Sequence, residues 1–341
     1  MMGNGSEQDK LVMTYLLRKG FQIKGYLNYP DHSNITGQFK PAPPLTIPIR
    51  IFVEISRVIP DAEVIDGLYS QAKNAECTAI VLVMDDPSKL ARDASALMSK
   101  YGIDLWTSAN LQQELKGVDL SKANETLEAV STARLIRALP ELAKQVIPAD
   151  IQNAINDPKR KAWEVFEDAV YATFKSGFGY KVKQYGKESL FESEPEGLVT
   201  TTPGIPQDRF AFIYDCKSAR EKYVVDSKDE AVYAEYIKRK KAEANLLEHC
   251  ELKYFLIIGP EFGGNMELRR QNLMEKTQVI TAYIRASNLQ KLAEWINGVQ
   301  DPDVKRLIDL RKIIKLSEPE VSLATIQSYI DEFNKEHKSR Y

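Results

Sequence analysis

The stretch that most constrains the fold runs from Glu194 to Lys217. It opens with Glu194-Pro195-Glu196-Gly197 and closes with Asp215-Cys216-Lys217. Residues 198–200 and 210–214 are rich in branched and aromatic side chains, which predicts two strands. Pro203-Gly204-Ile205-Pro206 predicts the turn between them. Side chains alternate along a strand, so Asp215 and Lys217 share one face while Cys216 points away. Glu196 opens the partner strand and reaches the same end of the hairpin. Two carboxylates and an amine therefore surround one small volume. Two carboxylates bind a hard divalent cation through oxygen, an arrangement that suits Mg²⁺ with several waters retained. Such a cation acidifies a bound water and neutralises charge building on a phosphate, and a lysine beside it can orient that water. The chemistry expected is phosphodiester hydrolysis. The alternative is a surface hairpin with an ordinary Asp-x-Lys, a common tripeptide. The Pro-acidic-Gly opening and the apolar strand before Asp215 make the combination more specific.

These residues resemble the PD-(D/E)xK nucleases and, within them, the cleavage domain of the FokI-type restriction enzymes. In that family a Pro-Asp-Gly leads a hairpin that ends in Asp-Thr-Lys. Glu196 falls at the first Asp, Asp215 at the second and Lys217 at the Lys. Tyr223 and Tyr236 keep the family's offsets from Asp215, and residues 254–259 resemble its next core strand. Phe166-Glu167 falls on the preceding helix, where the family carries a Glu. The likeness covers the C-terminal half and departs at Glu196, one methylene longer than the family's Asp. It implies Mg²⁺, with Mn²⁺ able to substitute, bound by Glu196, Asp215 and the backbone carbonyl of Cys216. It further implies that Lys217 orients the attacking water, that Glu167 assists as base or outer ligand, and that double-stranded DNA is the substrate. Restriction of foreign DNA is the biological role it suggests.

A chain of 341 residues is long enough for two domains with ample core. Its net charge of −2 gives no global basic signature, so any DNA-binding surface must be local. Lys181, Lys183 and Lys187 cluster just before the acidic motif, where they could hold a phosphodiester backbone. Cys77, Cys216 and Cys250 have no paired spacing, which fits a reducing cytoplasm and argues against a cysteine zinc site. His32, His249 and His337 form no local metal motif. No apolar run reaches membrane-spanning length, and the N-terminus lacks a signal-peptide pattern.

The rest of the chain predicts an α/β architecture of two domains. Residues 1–115 read as a smaller α/β domain, with a helix over 7–18 and a strand over 21–28. A loop follows over 30–48, then strands over 49–55, 78–84 and 103–106. Helices are expected over 62–74, from an Asp86 cap to about Lys100, and on to about Leu115. Strand 49–55 stands where 210–216 stands, with Glu54-Ile55-Ser56 in the place of Asp215-Cys216-Lys217 and Tyr29-Pro30-Asp31 ahead of it. This half resembles a nuclease-fold domain of the Mrr type whose lysine is replaced by Ser56. Asp31 and Glu54 could still bind a cation weakly, but the expected role is DNA recognition or assembly. Any small α/β domain with one buried Glu is the plainer alternative.

Residues 116–160 read as a helical connector punctuated by Pro140 and Pro148. Residues 161–341 read as the endonuclease domain, a restriction-endonuclease-like αβα core. Its helices are expected over 162–175, over 226–244 with the basic run Lys238 to Lys241 at its end, and over 266–275. Its further strands are expected over 180–184, 254–258 and 279–284. Ser287 and Gln290 form a capping box for the next helix, and the tail from Asp301 is helical. The leading function is a Mg²⁺-dependent DNA endonuclease; the alternative is a non-catalytic DNA-binding or assembly protein on a nuclease fold. No helix-turn-helix or zinc module is legible, so base readout falls to the N-terminal domain or to a separate recognition subunit. The resemblance places the family's pairing Asp and Arg at Ala231 and Glu235, so a weak or DNA-dependent homodimer is expected. Glu230 and Arg239 on the same helix are candidates for a substitute contact, with a solvated helix face the simpler alternative.

Overall fold

The computed structural model describes residues 6–39, 48–154, 159–185, 194–200, 210–248, 250–299, 301–305, 307–314 and 318–337. The expected turn at 203–206 and Lys187 lie outside them. The chain divides into two compact units, Met1–Ser131 with Ala149–Pro158, and Thr132–Pro148 with Lys159–Tyr341.

The first unit begins with α1 (Glu7–Arg18). The Ser6 hydroxyl accepts from the Asp9 N–H, and the Asp9 carboxylate accepts from the Ser6 N–H, closing a capping box. β1 (Gln22–Asn28), β2 (His32–Phe39) and β3 (Ile49–Ser56) then form an antiparallel meander. α2 (Ala62–Asn74) crosses to β4 (Ala79–Met84), and α3 (Arg92–Tyr101) crosses to β5 (Ile103–Thr107). β4 runs parallel to β3 and β5 parallel to β4, in the spatial order β1-β2-β3-β4-β5. The central strands are apolar on both faces because both are covered. On one face Ile51, Val53, Ile55, Val81 and Val83 pack with Leu11, Val12, Met13 and Leu16 of α1 and Leu111 of α4 (Ser108–Glu114). On the other, Phe52, Ile80, Leu82 and Met84 meet Ile65, Leu68 and Ala72 of α2 and Ala94 and Met98 of α3.

Two expectations for this unit are corrected. The loop expected over 30–48 contains β2, which pairs with β3 from His32↔Ser56 to Phe39↔Ile49. Its Ser, Asn and Gly content disguised it, because a strand laddered on both sides tolerates residues of low strand preference. The helix expected from Asp86 to Lys100 is two pieces, a 3-10 turn at Pro87–Lys89 and α3. Leu90 and Ala91 are extended between them. Gly102 ends α3 in the left-handed region, at φ +67°.

α5 (Ser121–Ala143) passes from the first unit into the second, and α6 (Ala149–Ala154) returns to the first. The segment 116–160 is thus shared between the units. Pro140 does not interrupt α5. Its neighbours Leu139 and Leu142 are fully buried, and their burial offsets the roughly 3 kcal/mol that an interior proline costs.

The second unit begins with α7 (Ala162–Ala172), which ends in a π-helical turn at Thr173–Gly177. β6 (Lys181–Gln184), β7 (Gly197–Thr200) and β8 (Phe210–Cys216) form its antiparallel part. β9 (Lys222–Val224) and α8 (Ser227–Glu248) lead to β10 (Glu251–Gly259). β11 (Glu261–Gly263) and α9 (Met266–Thr277) lead to β12 (Ile280–Arg285). The spatial order is β12-β10-β8-β7-β6, with β8, β10 and β12 mutually parallel, while β9 and β11 form a small parallel ribbon. α10 (Ala286–Gly298), α11 (Pro302–Lys305), a 3-10 turn at Leu310–Lys312 and α12 (Leu323–His337) follow.

Two helix ends differ from expectation. α10 starts straight from β12 at Ala286, so Ser287 lies inside it and caps nothing. α8 continues to Glu248, which places Lys238 to Lys241 within the helix rather than at its end. The two units share one topology. A helix precedes a hairpin, a third strand returns antiparallel, and two parallel strands follow through crossover helices. β3 therefore corresponds to β8.

Candidate active site

Asp215 is the second-last residue of β8 and is 1% exposed. Register seats it beside Ile257 of β10, and the Lys217 N–H extends the parallel ladder by donating to the Ile258 carbonyl at 2.8 Å. The Lys217 ammonium lies 2.7 Å from Asp215 Oδ2. Its direction is poor, and Oδ2 is left buried without a well-formed hydrogen bond.

Glu196 stands one residue before β7. The last β7–β8 pair is Gly197↔Tyr214, so Glu196 falls on the side of Asp215. A Cβ at Gly197 would lie 2.6 Å from Tyr214 Cε1, so the Tyr214 ring lying over this position requires glycine. Glu167 enters from α7, whose Val165, Phe166, Ala169 and Val170 are buried. Cys216 is buried and turns its side chain from Asp215.

The three carboxyls feel one another. Burial, then the charges of Glu167 and Asp215, push Glu196 up to about 9. Burial, then Asp168 and Asp215, push Glu167 up to about 7. Glu167 and Glu196 are close enough to share a proton. Burial also raises Asp215, opposed by the Lys217 ammonium. Burial works against the charge on Lys217, but Asp215 overcomes it and holds the amine firmly protonated. Lys217 also lies 5.6 Å from the centroid of the buried Tyr233 ring, a neighbour that the sequence pattern did not single out. Its place on the inner face of α8 was the available signal.

The donor set suits a hard cation. The repulsion among the three carboxyls, set close together, is relieved by positive charge. Among the described residues, no three His, Cys, Asp or Glu side chains form a ready ligand cage. Mg²⁺ is commonly held by one or two carboxylates with water completing its shell.

The structure places two of the three lysines expected at DNA, both on one strand. Lys181 and Lys183 are exposed on the edge strand β6. Lys183 is engaged by Glu243 at 2.6 Å, a neutralisation that counts against a phosphate role. Lys187 is outside the described residues.

In the first unit, Glu54 occupies the position of Asp215. It is 3% exposed, and burial raises its carboxyl to about 7. Ser56 donates its hydroxyl to the Val58 carbonyl at 2.7 Å. The residue opposite Glu54 in the ladder is Asn34, and Asp31 lies beyond the ladder's end, where its charge still raises Glu54. Asp31 is exposed and held 2.8 Å from His32 Nδ1.

A five-stranded αβα sheet with acids and a lysine gathered at the end of its middle strand is the architecture of a restriction-type nuclease domain. The model of the family described as FokI, cleavage domain, matches residues 128–315, more than half of the 341, and the chain belongs to that family. Among solved structures it is similar to the restriction endonuclease FokI, at a TM-score of 0.39 and 18% identity, over 61% of this chain and 32% of that one. It is also similar to FokI bound to DNA, at a TM-score of 0.37 and 18% identity, over 58% of this chain and 31% of that one. The chain spans about a third of the length of those structures. Comparison with curated proteins found no match. Among the described residues, no helix is long and apolar enough to cross a membrane.

Proposed function

We propose that the second unit is a Mg²⁺-dependent endonuclease that hydrolyses phosphodiester bonds in double-stranded DNA, in the manner of the wider PD-(D/E)xK nucleases. The observation that carries this reading is the crowding of Glu167, Glu196 and Asp215 beside a protonated Lys217. Glu196, Asp215 and the Cys216 carbonyl would hold the cation, which supplies charge neutralisation and an acidified water. Lys217, held protonated, donates hydrogen bonds and orients water or a phosphate oxygen; it is not the base. Glu167, poised at about 7, is suited to accept a proton near neutral pH. The first unit, with Ser56 in place of the lysine, serves recognition or assembly. A cytoplasmic restriction role accompanies this reading.

The test is plasmid nicking with and without Mg²⁺. Asp215→Ala and Lys217→Ala should each lower cleavage by at least about 100-fold, roughly the scale of one lost transition-state contact, while leaving the fold intact. Wild-type-like cleavage by either variant removes the assignment.

A further inference from the structure

The β7–β8 pairing stops at Gly197, so on that side no register bond holds Glu196. On the other side its carbonyl accepts from the Tyr185 N–H at 3.0 Å, one rung past the last β6–β7 pair. The Tyr185 ring lies 3.6 Å beneath the ammonium of Lys240 on α8. The Lys240 side chain is 7% exposed, and its ammonium lies 2.8 Å from Glu194 Oε2 and 2.8 Å from Glu243 Oε2. The Tyr185 hydroxyl donates to Glu243 at 2.7 Å. One buried cation thus grips the acidic turn on both sides of Pro195, through Glu194 directly and through Tyr185 to Glu196.

We propose that Lys240 is a positioning residue for Glu196, fixing the acidic turn so that Glu196 and Asp215 can hold one divalent cation. This rests on the metal-dependent reading of the site. A metal site needs its ligands held to within about 0.5 Å by packed and hydrogen-bonded supports, and Glu196 is laddered on one side only. A buried lysine bridging two carboxylates under an aromatic ring supplies such a support.

The experiment uses the full chain and Mn²⁺ as the probe. Direct Mn²⁺ binding without DNA is measured from the electron paramagnetic resonance signal of free Mn²⁺, beside the Mn²⁺ dependence of plasmid nicking. Lys240→Met and Glu194→Gln should each weaken Mn²⁺ binding about tenfold and raise the half-saturating Mn²⁺ by a similar factor, within the range seen for supports of metal ligands. Lys240→Arg should recover most of the loss. Glu194→Gln leaves the Lys240–Glu243 pair in place, which guards against a variant that fails to fold. Folded variants with wild-type Mn²⁺ binding overturn the proposal, as does loss of fold in both. Failure of the underlying site reading shows separately, as undiminished nicking and Mn²⁺ binding by Asp215→Ala.

Discussion

Glu196 carries the least comfortable charge in the second unit. Burial and two neighbouring acids keep its proton on to about pH 9, whereas an unfolded glutamate loses it near 4.5. Between those values the folded, metal-free protein binds a proton that the unfolded chain has lost. Stability from this group is therefore complete below about pH 4.5 and declines as pH rises through about 9. Glu196→Gln, neutral at every pH, should flatten the decline. At pH 9 the metal-free variant should be more stable than wild type by on the order of 1–3 kcal/mol, after allowance for screening at a partly exposed group. Near pH 5 the two should agree. Mn²⁺ at pH 9 should stabilise the wild type far more than the variant. Thermal melts across that range decide it, and a wild-type curve that is flat in pH would refute the raised carboxyl.

At the scale of elements, β10 is what seats Lys217. The ladder contact from the Lys217 N–H to Ile258 brings the Lys217 carbonyl against Gly259, where a Cβ would stand 3.0 Å from that oxygen and 3.1 Å from Phe262 Cζ. Neither neighbour is a flexible chain end. Gly259→Ala should push the strand ends apart, at a cost of about 1–3 kcal/mol, and displace Lys217. Cleavage should fall by more than tenfold under conditions where circular dichroism shows the fold intact. Unaltered cleavage in that variant would mean that β10 does not set the lysine. Elements of this kind were legible in proportion to their periodicity. The apolar runs of β3, β4 and β8, and the spacing of Asp215 and Lys217, carry their own pattern. β2 did not, since its polar residues are ordered by ladders formed with neighbouring strands on both sides. Nor did the grip of Lys240 on Glu194 and Tyr185, whose members lie far apart in sequence and meet only after α8 packs.

At the scale of the whole molecule, the repeated topology leaves one complete candidate site. The first unit offers Glu54, Asn34 and Ser56 where the second offers Asp215, Glu196 and Lys217, so it lacks the second acid and the amine. One chain should then cut one strand, and a double-strand break needs two chains or two successive events. The outer face of α8 gives little to a partner by charge pairing. Ala231 and Glu235 are exposed where the resemblance places an Asp and an Arg. Glu230, a candidate for a substitute contact, is 3% exposed and committed within its own unit to Arg269, Asn272 and Lys276. Arg239 leans on Glu194 at 3.6 Å and Glu235 at 3.8 Å. Glu230 is therefore committed within the chain, while Arg239 stays partly exposed on α8. Sedimentation of the free protein should show mainly monomer at micromolar concentration. In plasmid cleavage, nicked circles should accumulate before linear product, and the yield of linear product should rise more steeply than enzyme concentration. A tight dimer that survives Glu235→Ala and Arg239→Glu, with linear product formed directly, would place the pairing on another surface.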